Sequence, residues 1–153
     1  MQFINNTSLM PKGYAGQLSR YDAVVEPLNI AAASGLAYGA PVKLDTAGKA
    51  VALTANGDTV SFIIVQEHLT APRGFSVPNA DDFPQGAATV GGLKEGYIIV
   101  KVDPADATVI RGAAVKYDRA TGLYGTTGAV TVPAKFVSNG VQADGFAEIA
   151  FGF

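Results

Sequence analysis

The chain has 153 residues, enough for one compact domain with a real core. Apolar residues make up 48% and charged residues 16%, against about 25% charged in ordinary globular chains, so the surface reads as one that is covered in use. The net charge of −2 gives no electrostatic drive toward nucleic acid, and the absence of cysteine excludes disulfides, thiolate zinc sites and a cysteine nucleophile.

Residues 1–35 show no clear periodicity. They still carry Phe3, Ile4, Tyr14, Leu18 and Tyr21, which a disordered tail would lack. They read as an extended N-terminal arm whose apolar groups bury against a neighbouring subunit or against the chain's own body. Ala31-Ala32-Ala33 with Gly35 as a stop predicts one helical turn within 27–35. Met1–Asn6 has no basic region before an apolar run, which predicts no signal peptide. Apolar runs fall far short of the roughly 20 residues that span a bilayer, which predicts no membrane partner.

From residue 36 the pattern becomes short strands between turns, a single β domain over 36–153. Strands are expected near 41–45, 49–54, 60–67, 96–102, 108–110, 113–118, 122–126, 129–132, 134–138 and 145–151. Phe62-Ile63-Ile64-Val65 is apolar on both faces and predicts a central strand covered twice. Ile98, Val100 and Val102 share one face, as do Ala147, Ile149, Phe151 and Phe153. Asn56-Gly57-Asp58, Asn139-Gly140 and Asp144-Gly145 read as turns. Prolines and glycines over 70–95 predict a long loop with room for one short strand. No stretch has helical periodicity over ten residues, so the fold class is all-β: a small β-sandwich or squashed barrel, jelly-roll-like, with the extended arm.

One motif occurs twice. Gly39-Ala40-Pro41-Val42-Lys43-Leu44-Asp45 returns as Gly112-Ala113-Ala114-Val115-Lys116-Tyr117-Asp118. Each copy ends in a glycine turn, at Gly48 and at Gly122. The extra residue in the second turn aligns Phe62 with Phe136 further on. The repeat reads as one β unit used twice inside a small domain.

The chemistry-bearing residues form no catalytic set. His68, the sole histidine, follows a strand beside Glu67, and no spacing supplies the three or four convergent ligands a metal needs. Asp81-Asp82 and Asp103-Pro104-Ala105-Asp106 lack calcium-loop density and read as loop and turn. Gly91-Gly92 precedes no helix and cradles no phosphate. No nucleophile elbow is present. No metal, cofactor or enzymatic activity is predicted. Lys43 and Lys116 read as a solvated strand face or as docking groups for an acidic partner surface.

Taken in order, the motifs resemble a known family. They are Pro11–Leu18, Tyr38–Val42, Phe62–His68, Glu95–Val102, Gly112–Asp118 with Gly122, and the closing Ala147-Glu148-Ile149. This series is similar to the capsid cement, or decoration, proteins of tailed bacteriophages, over about residues 11–151. The resemblance implies a non-catalytic virion protein, made in the host bacterial cytoplasm and bound outside an icosahedral head. Its partners would be the major capsid protein and itself, as a homo-oligomer, with a trimer preferred to a dimer. Phe3, Ile4, Tyr14, Leu18, Tyr21, Lys43 and Lys116 are the expected partner-binding residues. The competing class is a receptor- or carbohydrate-binding β module of a phage head or fibre, with Tyr117 and Tyr124 as its aromatic platform.

Overall fold

The computed structural model describes residues 15–20, 22–31, 36–66, 89–141 and 145–153. The strands are β1 (Val24–Asn29), β2 (Pro41–Leu44), β3 (Ala50–Ala52), β4 (Phe62–Val65), β5 (Thr89–Lys101), β6 (Ala114–Asp118), β7 (Leu123–Gly125), β8 (Val130–Phe136) and β9 (Phe146–Phe151). No helix occurs among the described residues. The all-β expectation is borne out as one curled antiparallel sheet that forms a half-barrel.

The strand order is β3-β2-β4-β5-β9-β8-β6-β7, and β1 adds to β5. The thirteen-residue β5 serves twice. Its first part pairs with β1 on one edge and β4 on the other, while residues 96–101 pair with β9. The sheet is therefore two copies of one five-strand unit. The first is β1, β2, β3, β4 and the start of β5. The second is the end of β5, then β6, β7, β8 and β9.

The registers match outside two irregularities, between Val24 and Val25 and between Ala114 and Lys116. Ile63 faces Leu93 and Ile64 faces Gly92 in the first unit; Lys135 faces Ala150 and Phe136 faces Ile149 in the second. Leu28 faces Val90, and Val100 faces Ala147. Each unit curls back through one parallel bridge, Ile30 with Ala50 and Val102 with Tyr124. The repeated motif starts each hairpin. Gly39 N–H donates to Ile64 O and Gly112 N–H to Phe136 O, each at 2.8 Å. The aligned partner of Phe136 is thus Ile64. The sequence alignment with Phe62 differs from this by two residues, a slip that period-2 alternation hides because both side chains share a face.

Gly39 and Gly112 hold φ of 77° and 89°, where a side chain is strained. At Gly39 a Cβ would also stand 2.9 Å from Gly16 N, whereas Gly112 faces open space. Backbone conformation explains the glycine in both copies, and close packing adds to it in the first alone.

Two cores follow from the duplication. Leu28, Leu36, Val42, Ala50, Phe62, Ile64 and Val90 fill the first. The counterparts of six of them, Val100, Val109, Val115, Tyr124, Phe136 and Ala147, lie in the second, larger one, and Ala134, the counterpart of Phe62, packs against it. Strand β4 joins them: Phe62 and Ile64 enter the first core, Ile63 and Val65 the second. The doubly covered strand is as its sequence predicts, each side chain gaining about 1.5–3 kcal/mol on burial.

Other expectations are corrected. Residues 27–29 are strand and Ile30 is a bridge, so the helical turn does not start there; residues 32–35 lie outside the described residues. Residues 89–95 belong to β5 and not to the loop, and most of the loop lies outside the described residues. Residues 108–110 form no strand, although Val109 is buried in the core. The two strands expected on either side of Pro133 are one, β8, whose pairing with β6 shifts register between Ala114 and Lys116. A proline inside a sheet is accommodated at such an irregularity. Phe153 lies beyond β9 and is exposed, unlike Phe151.

Candidate functional site

The expected docking residues divide by where the structure places them. Phe3, Ile4, Tyr14 and Tyr21 lie outside the described residues, as do Glu67, His68 and Asp81-Asp82. Leu18 forms an isolated bridge with Ile98 and packs against the larger core. Its neighbours tie the chain down. Gly16 N–H donates to Ile99 O at 2.9 Å, Ile99 N–H to Gln17 O at 2.9 Å and Ser19 N–H to Tyr97 O at 3.1 Å. Gln66 N–H donates to Gly16 O at 2.9 Å. The described part of residues 1–35 therefore lies on the chain's own sheet, at residues 16–19 and in β1.

A surface cluster closes this root. Ser19 Oγ donates to Glu148 Oε1 at 2.6 Å, and Arg20 Nε meets the same oxygen at 3.0 Å. The Arg20 guanidinium lies 4.1 Å from the Tyr97 ring centroid, and Tyr97 packs on Phe153 at 5.3 Å. Phe153 is 70% exposed, so the cluster presents an aromatic edge to solvent.

The repeated lysines are not equivalent. Lys43 Nζ donates to Asp58 Oδ2 and to Thr54 Oγ1, both at 2.8 Å. The same Asp58 oxygen accepts from Thr54 N–H at 2.7 Å and Ala55 N–H at 2.8 Å. The Lys43 hydrogen bond, then those backbone donors, hold the Asp58 carboxyl well below the usual range. Lys116 is half-buried in β6 and makes no ion pair among the described residues.

Each lysine is followed by an aspartate that shapes its turn. Asp45 Oδ1 accepts from Ala47 N–H and Lys49 N–H at 2.8 Å; Asp118 Oδ1 accepts from Ala120 N–H at 2.9 Å. These are Asx turns, so the carboxylates serve the backbone. Asp103 and Asp106 act likewise. Burial works against ionisation of Asp106, but bonds from Thr108 and Thr126 outweigh it and bring its pKa to about 2.

Sequence reasoning missed the joint between the two units. Tyr124 Oη donates to Gly39 O at 2.6 Å, buried, and burial keeps the phenol protonated well above its usual range. Arg119 Nη1 donates to Thr54 O at 2.7 Å, and its Nη2 to Asn56 Oδ1 at 2.9 Å. Tyr117 sits edge-on to Tyr124 at 5.0 Å. The ring that would serve a glycan platform at Tyr124 is instead buried in the joint. Only the identity of residues 119 and 124 distinguishes this joint in sequence: the first unit has Thr46 and Ala50 at the matching places.

A family model described as structural cement protein (E217 gp24/Pam3 gp6) matches residues 2–152. The chain belongs to this family of phage structural cement proteins. Comparison with curated proteins and with solved structures gives no match. The cement protein owes its family to the length of the match. No group of three or more metal-binding side chains occurs among the described residues.

Proposed function

We propose that this cement protein binds the outer surface of an icosahedral phage head, bridges neighbouring major capsid protein subunits and reinforces the shell against its packaged DNA. The match to structural cement proteins over residues 2–152 carries the reading. The duplicated body supports it, since one connected sheet offers two related surfaces to a repeating lattice. The protein acts as a homo-oligomer, a trimer at threefold sites in preference to a dimer at twofold sites. It is made in the host cytoplasm and performs no catalysis. Docking draws on Phe3, Ile4, Tyr14, Leu18, Tyr21, Lys43 and Lys116, with affinity summed over many weak contacts.

Lys116 is the sharper of the two lysines as a probe, because reversing Lys43 also breaks its bond to Asp58. The test is co-sedimentation with DNA-filled heads that lack the protein. Wild type binds and raises the temperature at which heads release DNA. Lys116→Glu binds more weakly while keeping its melting temperature. Failure of wild type to sediment with heads would overturn the proposal.

A further inference from the structure

The duplication exposes a difference at one strand edge. In the second unit the outer edge of β5 is covered by residues 16–19, through the bonds of Gly16, Gln17 and Ser19 with Ile99 and Tyr97. The matched registers put β1 where residues 96–101 stand, so Pro27 corresponds to Ile99 and Val25 to Tyr97. Ile99 turns its N–H away from β9, toward the covering segment. Pro27 accordingly turns its ring nitrogen away from β5, to the outer edge of β1. That orientation also explains how a proline stands in a paired strand: the ladder to β5 does not need its missing N–H.

Pro27 is exposed, and the outer edge of β1 has no backbone partner among the described residues. An open edge is a template for another strand, and proline at its centre removes a donor and obstructs the approach. The strand best matched to this edge is β1 of a second copy, because antiparallel pairing of β1 with β1 is self-complementary about a twofold axis.

We propose that Pro27 closes the β1 edge to pairing with the same edge of a second copy of this chain. Pro27 acts in this way in the free protein, independently of head binding. It is tested with full-length Pro27→Ile, the residue of the matching strand, and Pro27→Ala, which restores the N–H with less strand preference. Circular dichroism checks the fold; light scattering after size exclusion reads association across a concentration series; hydrogen exchange reads the β1 amides. Both variants should associate beyond the wild-type state, at concentrations at least about tenfold lower, Ile more than Ala. Amides at residues 25–29 should gain protection in the associated form. Folded variants that keep the wild-type state at every concentration would overturn the proposal, and so would association without protection at 25–29. If the Ile variant does not fold, the Ala variant decides. An Ala variant that does not fold also refutes it, since Pro27 would then be serving the fold.

Discussion

Tyr124→Phe tests whether the two units are clasped as described. The change keeps the ring and removes the bond from Tyr124 Oη to Gly39 O, 2.6 Å long and buried. It leaves a buried carbonyl unpaired, which costs about 1–3 kcal/mol. Unfolding entropy is about 2.1 cal/mol/K per residue, so about 1 kcal/mol corresponds to about 3 °C in a chain of this length. The expected loss at pH 7.5 is about 3–9 °C in Tm, read by differential scanning calorimetry. The same variant has a pH signature. Burial raises the folded pKa of Tyr124, while the unfolded phenol titrates near 10. The protonated native form therefore keeps its full contribution below pH 10 and loses it as pH rises further. Above pH 10 the wild type forfeits stability through ionisation of the unfolded chain, and the Phe variant forfeits none of it. The gap in Tm should shrink between pH 7.5 and 11. A gap under 1 °C at neutral pH, or one that stays constant to pH 11, would refute the clasp.

Gly92→Ile places in the first unit the residue that Ile149 supplies in the second. A Cβ there would stand 2.7 Å from Leu28 Cγ, so overpacking should cost about 1–3 kcal/mol, and Gly92→Ile with Leu28→Ala should recover part of it in urea melts. Asp58→Ala should lower Tm at pH 7, because the carboxylate binds Lys43 and two turn amides. Its folded pKa is depressed, so its contribution is present above about pH 4 and fades as pH falls; the two melting curves should converge toward pH 2. Deleting residues 1–14 should leave Tm within about 2 °C and weaken head binding. Deleting 1–20 should cost further stability, since it removes the bonds of residues 16–19 to β5. Equal melting temperatures for the two truncations would show that those bonds carry nothing.

The duplication is legible in one motif, and backbone conformation demands part of that identity. Gly39 and Gly112, with the aspartates that cap each turn, repeat because left-handed glycines and Asx turns tolerate few substitutes. The match between β1 and the end of β5 leaves no such mark. It needs only apolar side chains at Leu28 and Val100, and at Ile30 and Val102, so β1 reads as arm from its sequence. Gly91-Gly92 read as loop because glycine ordinarily breaks strands, whereas at Gly92 Leu28 occupies the room a side chain would take. Lys43 and Lys116 looked alike because the difference lies in Asp58, on a loop that the second unit does not repeat. Short-range rules found the turns, strand β4 and the buried face of β9. The joint at Arg119 and Tyr124 depends on residues about 65 to 85 positions away, which no local pattern reports.

The double service of β5 has a mechanical consequence. The last strand of one unit continues as the first strand of the next, with no linker between them. A pull on either unit is transmitted along a covalent backbone held laterally by β1, β4, β9 and residues 16–19. Force directed along that strand loads its flanking hydrogen bonds in shear, all together, instead of peeling them one after another. The protein resists stretching along β5 as a single stiff strap, and it yields most readily to force applied across it.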